Sequence, residues 1–324
     1  MSSELQRSVL VTGGTAGLGY HCALTIAREC PYYQVIIASR SDPKASAEAM
    51  NKLLDQENVK FLRLDLSSLS QVRAFAEVWE TNQFPPIQSL VFNAALQLPG
   101  SVEYTEDGFE KTFAVSHIGH ALLFSLLQPH LAETARIVIV SSGTHDPAQK
   151  TGLPDAKYTS AEYLAHPSPL SAKEKGRQRY ASAKLANILY MYALHKRFSS
   201  VNEKSGKHWT VTSMDPGLMP GTGLARRATR VEKFLWLRVL PKIIPLLRLL
   251  ISPNIHTPQE SGAALARLAV ADDVEGVSGV YYEGLNEIKS SEASYDRAKQ
   301  EDLWEWTVNA VARDYRERMA FMLA

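Results

Sequence analysis

The sequence predicts an α/β fold, a doubly wound parallel sheet of about seven strands with helices on both faces. Three observations predict it. Short apolar, β-branched runs alternate with helical stretches through the first half of the chain. A glycine-rich turn joins the first of these runs to the first helix. The polar residues best suited to hold a ligand close or follow strands, which is where ligands gather in such sheets.

Composition agrees with this and excludes other classes. The chain has 324 residues, 45% hydrophobic and 21% charged, an ordinary globular balance that reads as one domain over 1–324. A net charge of +1 gives no electrostatic footprint for nucleic acid. Two cysteines, Cys22 and Cys30, rule out a disulfide framework and a cysteine-built metal site. Both fall in the first helix or at its end, as thiols of a reducing compartment would. Residues 1–8 are polar and the apolar run after them is too short for a signal-peptide core, so a cytoplasmic location is expected.

In order, strands are expected at 8–11, 34–40, 59–66, 87–92, 136–140, 209–214 and 277–282. Helices are expected at 20–29, 46–58, 67–80, 109–128, 259–271 and 296–318, the third capped by Ser67 or Ser68. In Thr12-Gly-Gly-Thr-Ala-Gly-Leu-Gly19 the glycines at 13, 17 and 19 allow a tight turn and close approach of a pyrophosphate. The helix that follows supplies N–H donors and a favourable dipole. The second strand ends at Ser39-Arg40, with Lys44 nearby. An acid there would bind both ribose hydroxyls and repel a 2′-phosphate, whereas a planar guanidinium suits that phosphate, so NADP(H) is the expected cofactor. Asp65 closes the third strand, where an adenine amino group needs an acceptor. Asn93-Ala94-Ala95 closes the fourth and Ser141-Ser142-Gly143 the fifth. Tyr180 and Lys184 lie four apart on one helix face. An ammonium beside a phenol favours the phenolate and brings it toward the working range of an acid or base.

These motifs, with Pro216-Gly217 after the sixth strand, resemble the short-chain dehydrogenase/reductase family over about 7–285. The segment 107–120 is similar to the retinol dehydrogenase and protochlorophyllide reductase branch, and 216–226 with 260–281 leans toward the latter. The resemblance implies a Rossmann-type sheet and a role for each matching residue. Tyr180 would be the general acid for reduction, or the base for oxidation. Lys184 would bind the nicotinamide ribose and depress the Tyr180 pKa. Ser142, the second serine after its strand, would hold the substrate carbonyl. Gly13, Thr15, Gly17, Leu18, Gly19, Ser39, Arg40, Asp65, Leu66, Asn93 and Ala94 would line the cofactor. Pro216, Gly217 and Thr222 would shape the nicotinamide end. One departure stands out: Ser116 occupies a position that the family usually gives to asparagine, which helps hold a water chain to the lysine. His117 fits the branch pattern and reads as a helix-packing residue.

Two stretches are specific to this chain. Residues 143–179 form a long insert between Ser142 and Tyr180, rich in Pro, Lys and Ser. Tyr158, Tyr163 and Leu164 are expected in a pocket wall there, and His145-Asp146 reads as turn chemistry before Pro147. Residues 218–257 occupy the substrate-lid position. Within them, 224–251 mix apolar and basic residues and suit a lid, a homodimer interface or peripheral membrane contact. The expected activity is NADPH-dependent reduction of a ketone or aldehyde on a bulky lipophilic substrate of terpenoid, steroid, retinoid or aromatic polyketide type. The alternatives are reduction of a carbon–carbon double bond, or an NADP(H)-sensing regulator without turnover.

Overall fold

The computed structural model describes residues 5–168, 175–222 and 234–323. One sheet contains β1 (Arg7–Thr12), β2 (Tyr33–Ser39), β3 (Val59–Arg63), β4 (Ile87–Phe92), β5 (Leu131–Val140), β6 (His208–Asp215), β7 (Val280–Glu283) and β8 (Asn286–Ile288). Their order across the sheet is β3-β2-β1-β4-β5-β6-β7-β8, with all neighbours parallel except β7 and β8. Winding direction reverses between β1 and β4, which opens a crevice at the carboxyl ends of those strands.

Among the described residues the sheet has eight strands, where about seven are expected from the sequence. The added β8 is three residues long, too short for alternation to register. It folds back through Gly284, whose φ is +56°.

The helices with their connections place an apolar layer on each face. They are α1 (Gly17–Glu29), α2 (Ser46–Leu54), α3 (Leu69–Asn82), α4 (Lys111–Phe113), α5 (Gly119–Leu127), α6 (Ala161–Ala165) and α7 (Gly176–Ser205). Beyond these come α8 (Ile244–Leu250), α9 (Pro258–Val270), α10 (Arg297–Val311) and α11 (Tyr315–Phe321). Strand alternation sorts the core: Val9 and Val11 face α1, α2 and α9, while Leu10 faces α3, α5, α7, α10 and α11. Cys22 is buried in the first layer, Cys30 is half-buried at the end of α1, and both thiols are free.

Two expected helices are interrupted. The one over 109–128 contains a π-helical stretch, Ala114–Ile118, between α4 and α5. The one over 296–318 breaks after Val311. There Arg73 from α3 donates to the Val311 carbonyl at 2.7 Å and grips Glu317 with two bonds of 2.8 Å. Asp314 then caps α11 by accepting from the Glu317 N–H at 2.9 Å. The ends of both helices are thereby satisfied, and the Arg73 guanidinium holds the Glu317 carboxyl below its ordinary range despite burial. Trp304 and Val308 are buried in the core and Trp306 packs half-buried against it.

Glu317→Ala should leave the half-buried Arg73 without its carboxylate, holding on to the Val311 carbonyl, and cost about 1–3 kcal/mol of unfolding free energy. Urea denaturation checks this; a loss under about 0.5 kcal/mol would show that the pair does not secure the tail.

Candidate active site

Four strand ends converge on the crevice: Thr12 of β1, Asn93 after β4, Ser142 after β5 and Pro216 after β6. Gly13 takes φ +69°, open to glycine but strained for other residues, and this turns the chain from β1 toward α1. A Cβ on Gly19 would lie 2.5 Å from both the Gly13 carbonyl and the Asn93 amide nitrogen, so only glycine lets the first turn of α1 sit this close. No side chain caps α1 at Ala16, which leaves its leading N–H groups for a ligand. The Thr222 methyl is the nearest heavy atom facing Gly17, bringing the far end of the site against this turn.

The rest of the crevice wall is held from behind. Asn93 donates through Nδ2 to the Thr12 carbonyl at 2.7 Å, and the Asn93 and Ala94 N–H groups both donate to the Thr12 hydroxyl at 3.0 Å. At the outer edge Thr15 bonds Ser39 hydroxyl to hydroxyl at 3.1 Å. Arg40 and Lys44 are exposed, and the nearby Asp42 is engaged as the cap of α2 through the Ser46 N–H at 2.6 Å. Asp65 accepts from the Ser67 N–H and hydroxyl. Leu66 is a core residue whose carbonyl lies against Gly119.

Helix α7 brings in the reactive pair. Tyr180 is 8% exposed and Lys184 2%. The Lys184 ammonium lies 5.6 Å from the Tyr180 ring centre. It donates to the Val140 carbonyl at 2.9 Å, a carbonyl that also accepts from Asn187 at 3.1 Å. Ser141 donates its hydroxyl to the Lys184 carbonyl at 2.8 Å, which commits it to holding the helix. Its neighbour Ser142 faces Tyr180, and its hydroxyl favours the phenolate there. Just before Tyr180, Arg179 forms a buried ion pair with Glu110 at 3.4 Å and donates to the Gly100 carbonyl at 2.7 Å.

A phenol, an ammonium and a hydroxyl beside an open glycine turn can hold a carbonyl oxygen and give it a proton next to a bound dinucleotide. Comparison with known proteins agrees. The family model described as short chain dehydrogenase matches residues 7–156. Human polyprenol dehydrogenase is 32% identical over 92% of this chain and 83% of its own length. The carrot (Daucus carota) protochlorophyllide reductase is 30% identical over 92% of this chain and 76% of its own. Among solved structures, an uncharacterized protein from Mycobacterium paratuberculosis superposes with TM-score 0.63 at 23% identity, covering 94% of this chain and 93% of the other. The chain belongs to the short-chain dehydrogenase/reductase family. It falls in the branch resembling retinol dehydrogenases and protochlorophyllide reductases, is an oxidoreductase, and uses a nicotinamide cofactor. A Shigella flexneri short chain dehydrogenase complexed with NADP shares the fold, with TM-score 0.57 at 20% identity over 87% of this chain and 99% of that one.

Around the reactive pair, the structure adds one residue that sequence reasoning missed and places several that it named. His120 links Thr12 to the helix: its Nε2 lies 2.9 Å from the Thr12 hydroxyl and its Nδ1 3.1 Å from the Ser116 carbonyl. A carbonyl only accepts, so Nδ1 carries the proton and Nε2 takes the Thr12 hydroxyl proton. Burial pushes His120 down to about 3, so it stays neutral at physiological pH. Ser116 lies in the π-helical stretch, buried, with its hydroxyl unpartnered among the described residues. His117 packs on Phe113 and Tyr190 and bonds Thr307 at 2.8 Å, the packing role expected of it. His145 lies 2.8 Å from the Ser142 carbonyl and accepts from the Ser291 N–H, while Asp146 caps the turn at Ala148. The two form a turn, as expected.

The insert corrects one expectation and narrows another. Tyr158 donates to Asp302 at 2.7 Å and so is fixed to α10. Tyr163 and Leu164 do line a cavity, with Glu110, Lys157 and Arg179, but of about 20 Å³, room for roughly one water. Residues 169–174 of the insert and 223–233 of the expected lid lie outside the described residues.

Asp215, buried at the end of β6, is the other missed residue. It accepts from the Gly217 N–H at 3.0 Å and from Asn254 at 2.7 Å. The Ser261 hydroxyl donates to the Pro216 carbonyl at 2.7 Å, completing the support of this turn. Burial raises the Tyr180 pKa above its ordinary value, Asp215 adds to the rise, and the Ser142 hydroxyl opposes it. The direction is opposite to that expected from a neighbouring ammonium, because burial strips water from the phenolate. Burial pulls Lys184 down to about 8, with Asp215 resisting.

Asp215→Asn removes the charge that favours the protonated phenol. The alkaline limb of the pH–rate profile should therefore move to lower pH, by at least about half a unit. An unmoved limb with unchanged protein stability would separate Asp215 from the reactive pair.

Proposed function

We propose that the protein is an NADPH-dependent reductase of a ketone or aldehyde on a bulky lipophilic molecule. The observation that carries this reading is the buried Tyr180 phenol, beside Lys184 and Ser142 and favoured in its protonated form by burial and by Asp215. A protonated phenol is the donor that a reduction needs. The residues fit an NADP(H) molecule: the uncapped start of α1 with Gly13 and Gly19 suits the pyrophosphate, and exposed Arg40 and Lys44 suit a 2′-phosphate. When bound, the nicotinamide supplies hydride. The chain's own part is to orient and protonate. Ser142 donates to the substrate carbonyl oxygen and fixes its place. Tyr180 gives its Oη proton to the developing alkoxide, and Lys184 stabilises the phenolate left behind. The lipophilic substrate is supported by the polyprenol dehydrogenase relative and by the exposed apolar residues of 234–251.

A second reading, reduction of a carbon–carbon double bond, is favoured by the protochlorophyllide reductase relatives from carrot and pea. NADPH oxidation against aromatic ketones, steroids, long-chain enals and prenyl aldehydes, in the dark and in light, separates the two. Dark turnover of a carbonyl, lost by about 100-fold or more in Tyr180→Phe with cofactor binding retained, is the expected result. Turnover restricted to double bonds would favour the second reading. No turnover on any substrate would leave a regulator that senses NADP(H).

Calorimetry should find NADPH bound at least about tenfold more tightly than NADH, and Arg40→Ala should erase most of that difference. Equal affinities in the unaltered protein would remove the case for NADPH.

A further inference from the structure

Residues 234–251 reverse the usual order of a surface helix. Within α8, Ile244 is buried, and Arg248 is half-buried with its guanidinium on the Ile255 carbonyl and the Glu260 carboxylate. The solvent side is apolar instead: Leu246 is 50% exposed, Leu249 81%, Leu250 70% and Ile251 70%. Upstream, Phe234 is 62% exposed and Leu237 48%. A run of this kind on a soluble surface marks an interaction site. Arg238 and Lys242 are exposed among these side chains, and 234–251 contain no Asp or Glu.

We propose that this segment is an in-plane docking surface for an anionic lipid bilayer. The leucines would enter the acyl region, with Arg238 and Lys242 at the level of the lipid phosphates. At seven residues α8 is far short of the ~20 needed to cross a bilayer, so the seat is interfacial. A second copy of the chain fits less well. A two-fold contact through this face would bring Arg238 and Lys242 toward their own counterparts with no carboxylate in the segment to offset them.

The segment is tied to the site. Trp236 donates its ring N–H to the Thr222 carbonyl at 3.0 Å, and Leu218 pairs with Ile255. Docking would therefore open the nicotinamide end of the crevice toward lipid, so that an apolar substrate reaches Tyr180 from the membrane. That route rests on the proposed function; the docking does not.

The test is co-sedimentation of the full chain with extruded vesicles of phosphatidylcholine, alone or with phosphatidylserine at about a third of the lipid. Binding should rise strongly with phosphatidylserine and fall with salt. Leu249→Ser with Leu250→Ser should weaken binding at least about tenfold on both vesicles. Arg238→Gln with Lys242→Gln should weaken it about tenfold on the anionic vesicles only. NADPH affinity should be unchanged in the leucine variant, which shows that it is folded. Equal sedimentation of the unaltered chain and the leucine variant would overturn the proposal. So would a concentration-dependent dimer, lost in the leucine variant, in a protein that ignores vesicles. A protein that docks but reduces no carbonyl counts against the functional reading alone, and one that reduces carbonyls but never sediments counts against docking alone.

Discussion

The Val140 carbonyl, last in its strand, accepts from both the Lys184 ammonium and the Asn187 amide, and the next residue returns a bond from Ser141 to the backbone of α7. Three bonds within two residues fix the rotation and register of a 30-residue helix on the end of a strand. Everything reactive follows from that registration. With Lys184 pinned to Val140, Tyr180 sits one turn earlier and meets Ser142, two residues beyond the pinned carbonyl. The ammonium gains a strong acceptor in exchange for the water it loses, and remains close enough to the phenol to act on it.

A second knot, centred on the Thr12 hydroxyl, does the same for the cofactor side. It receives two backbone N–H groups from the end of β4 and gives its proton to His120. One hydroxyl thus joins two strand ends and a helix, and the neutral imidazole passes the connection on to the Ser116 carbonyl in the π-helical stretch. Ser116, standing where the family usually has asparagine, lies within that π-helical stretch.

Much of this could be read along the chain because it is local. The glycine turn, the strand ends, the Ser68 cap and the Tyr180–Lys184 spacing each lie within a few residues, where period and turn chemistry have direct meaning. What escaped depends on partners far away in sequence. His120 gains its role from Thr12, 108 positions distant, and the break after Val311 from Arg73, 238 positions distant. Asp215 stands next to the conspicuous Pro216-Gly217 and was passed over, since nothing local says that its carboxylate acts on Tyr180. The direction of the Tyr180 shift is hidden for the same reason: spacing reveals the ammonium, but only the packed structure reveals the desolvation of the phenol. The three residues of β8 carry too little pattern to be recognised at all.

The tail has a consequence for how the molecule is made. Trp304 stacks on Tyr190 of α7 with ring centres 5.7 Å apart, and Val308, Val311 and Phe321 belong to the same apolar layer as Leu122 and Leu189. The outer flank of α5 and α7 stays uncovered until residues 297–321 have left the ribosome. The reactive helix is thus synthesised long before its outer wall, and for that interval the nascent chain presents a greasy flank to chaperones and to other unfinished chains.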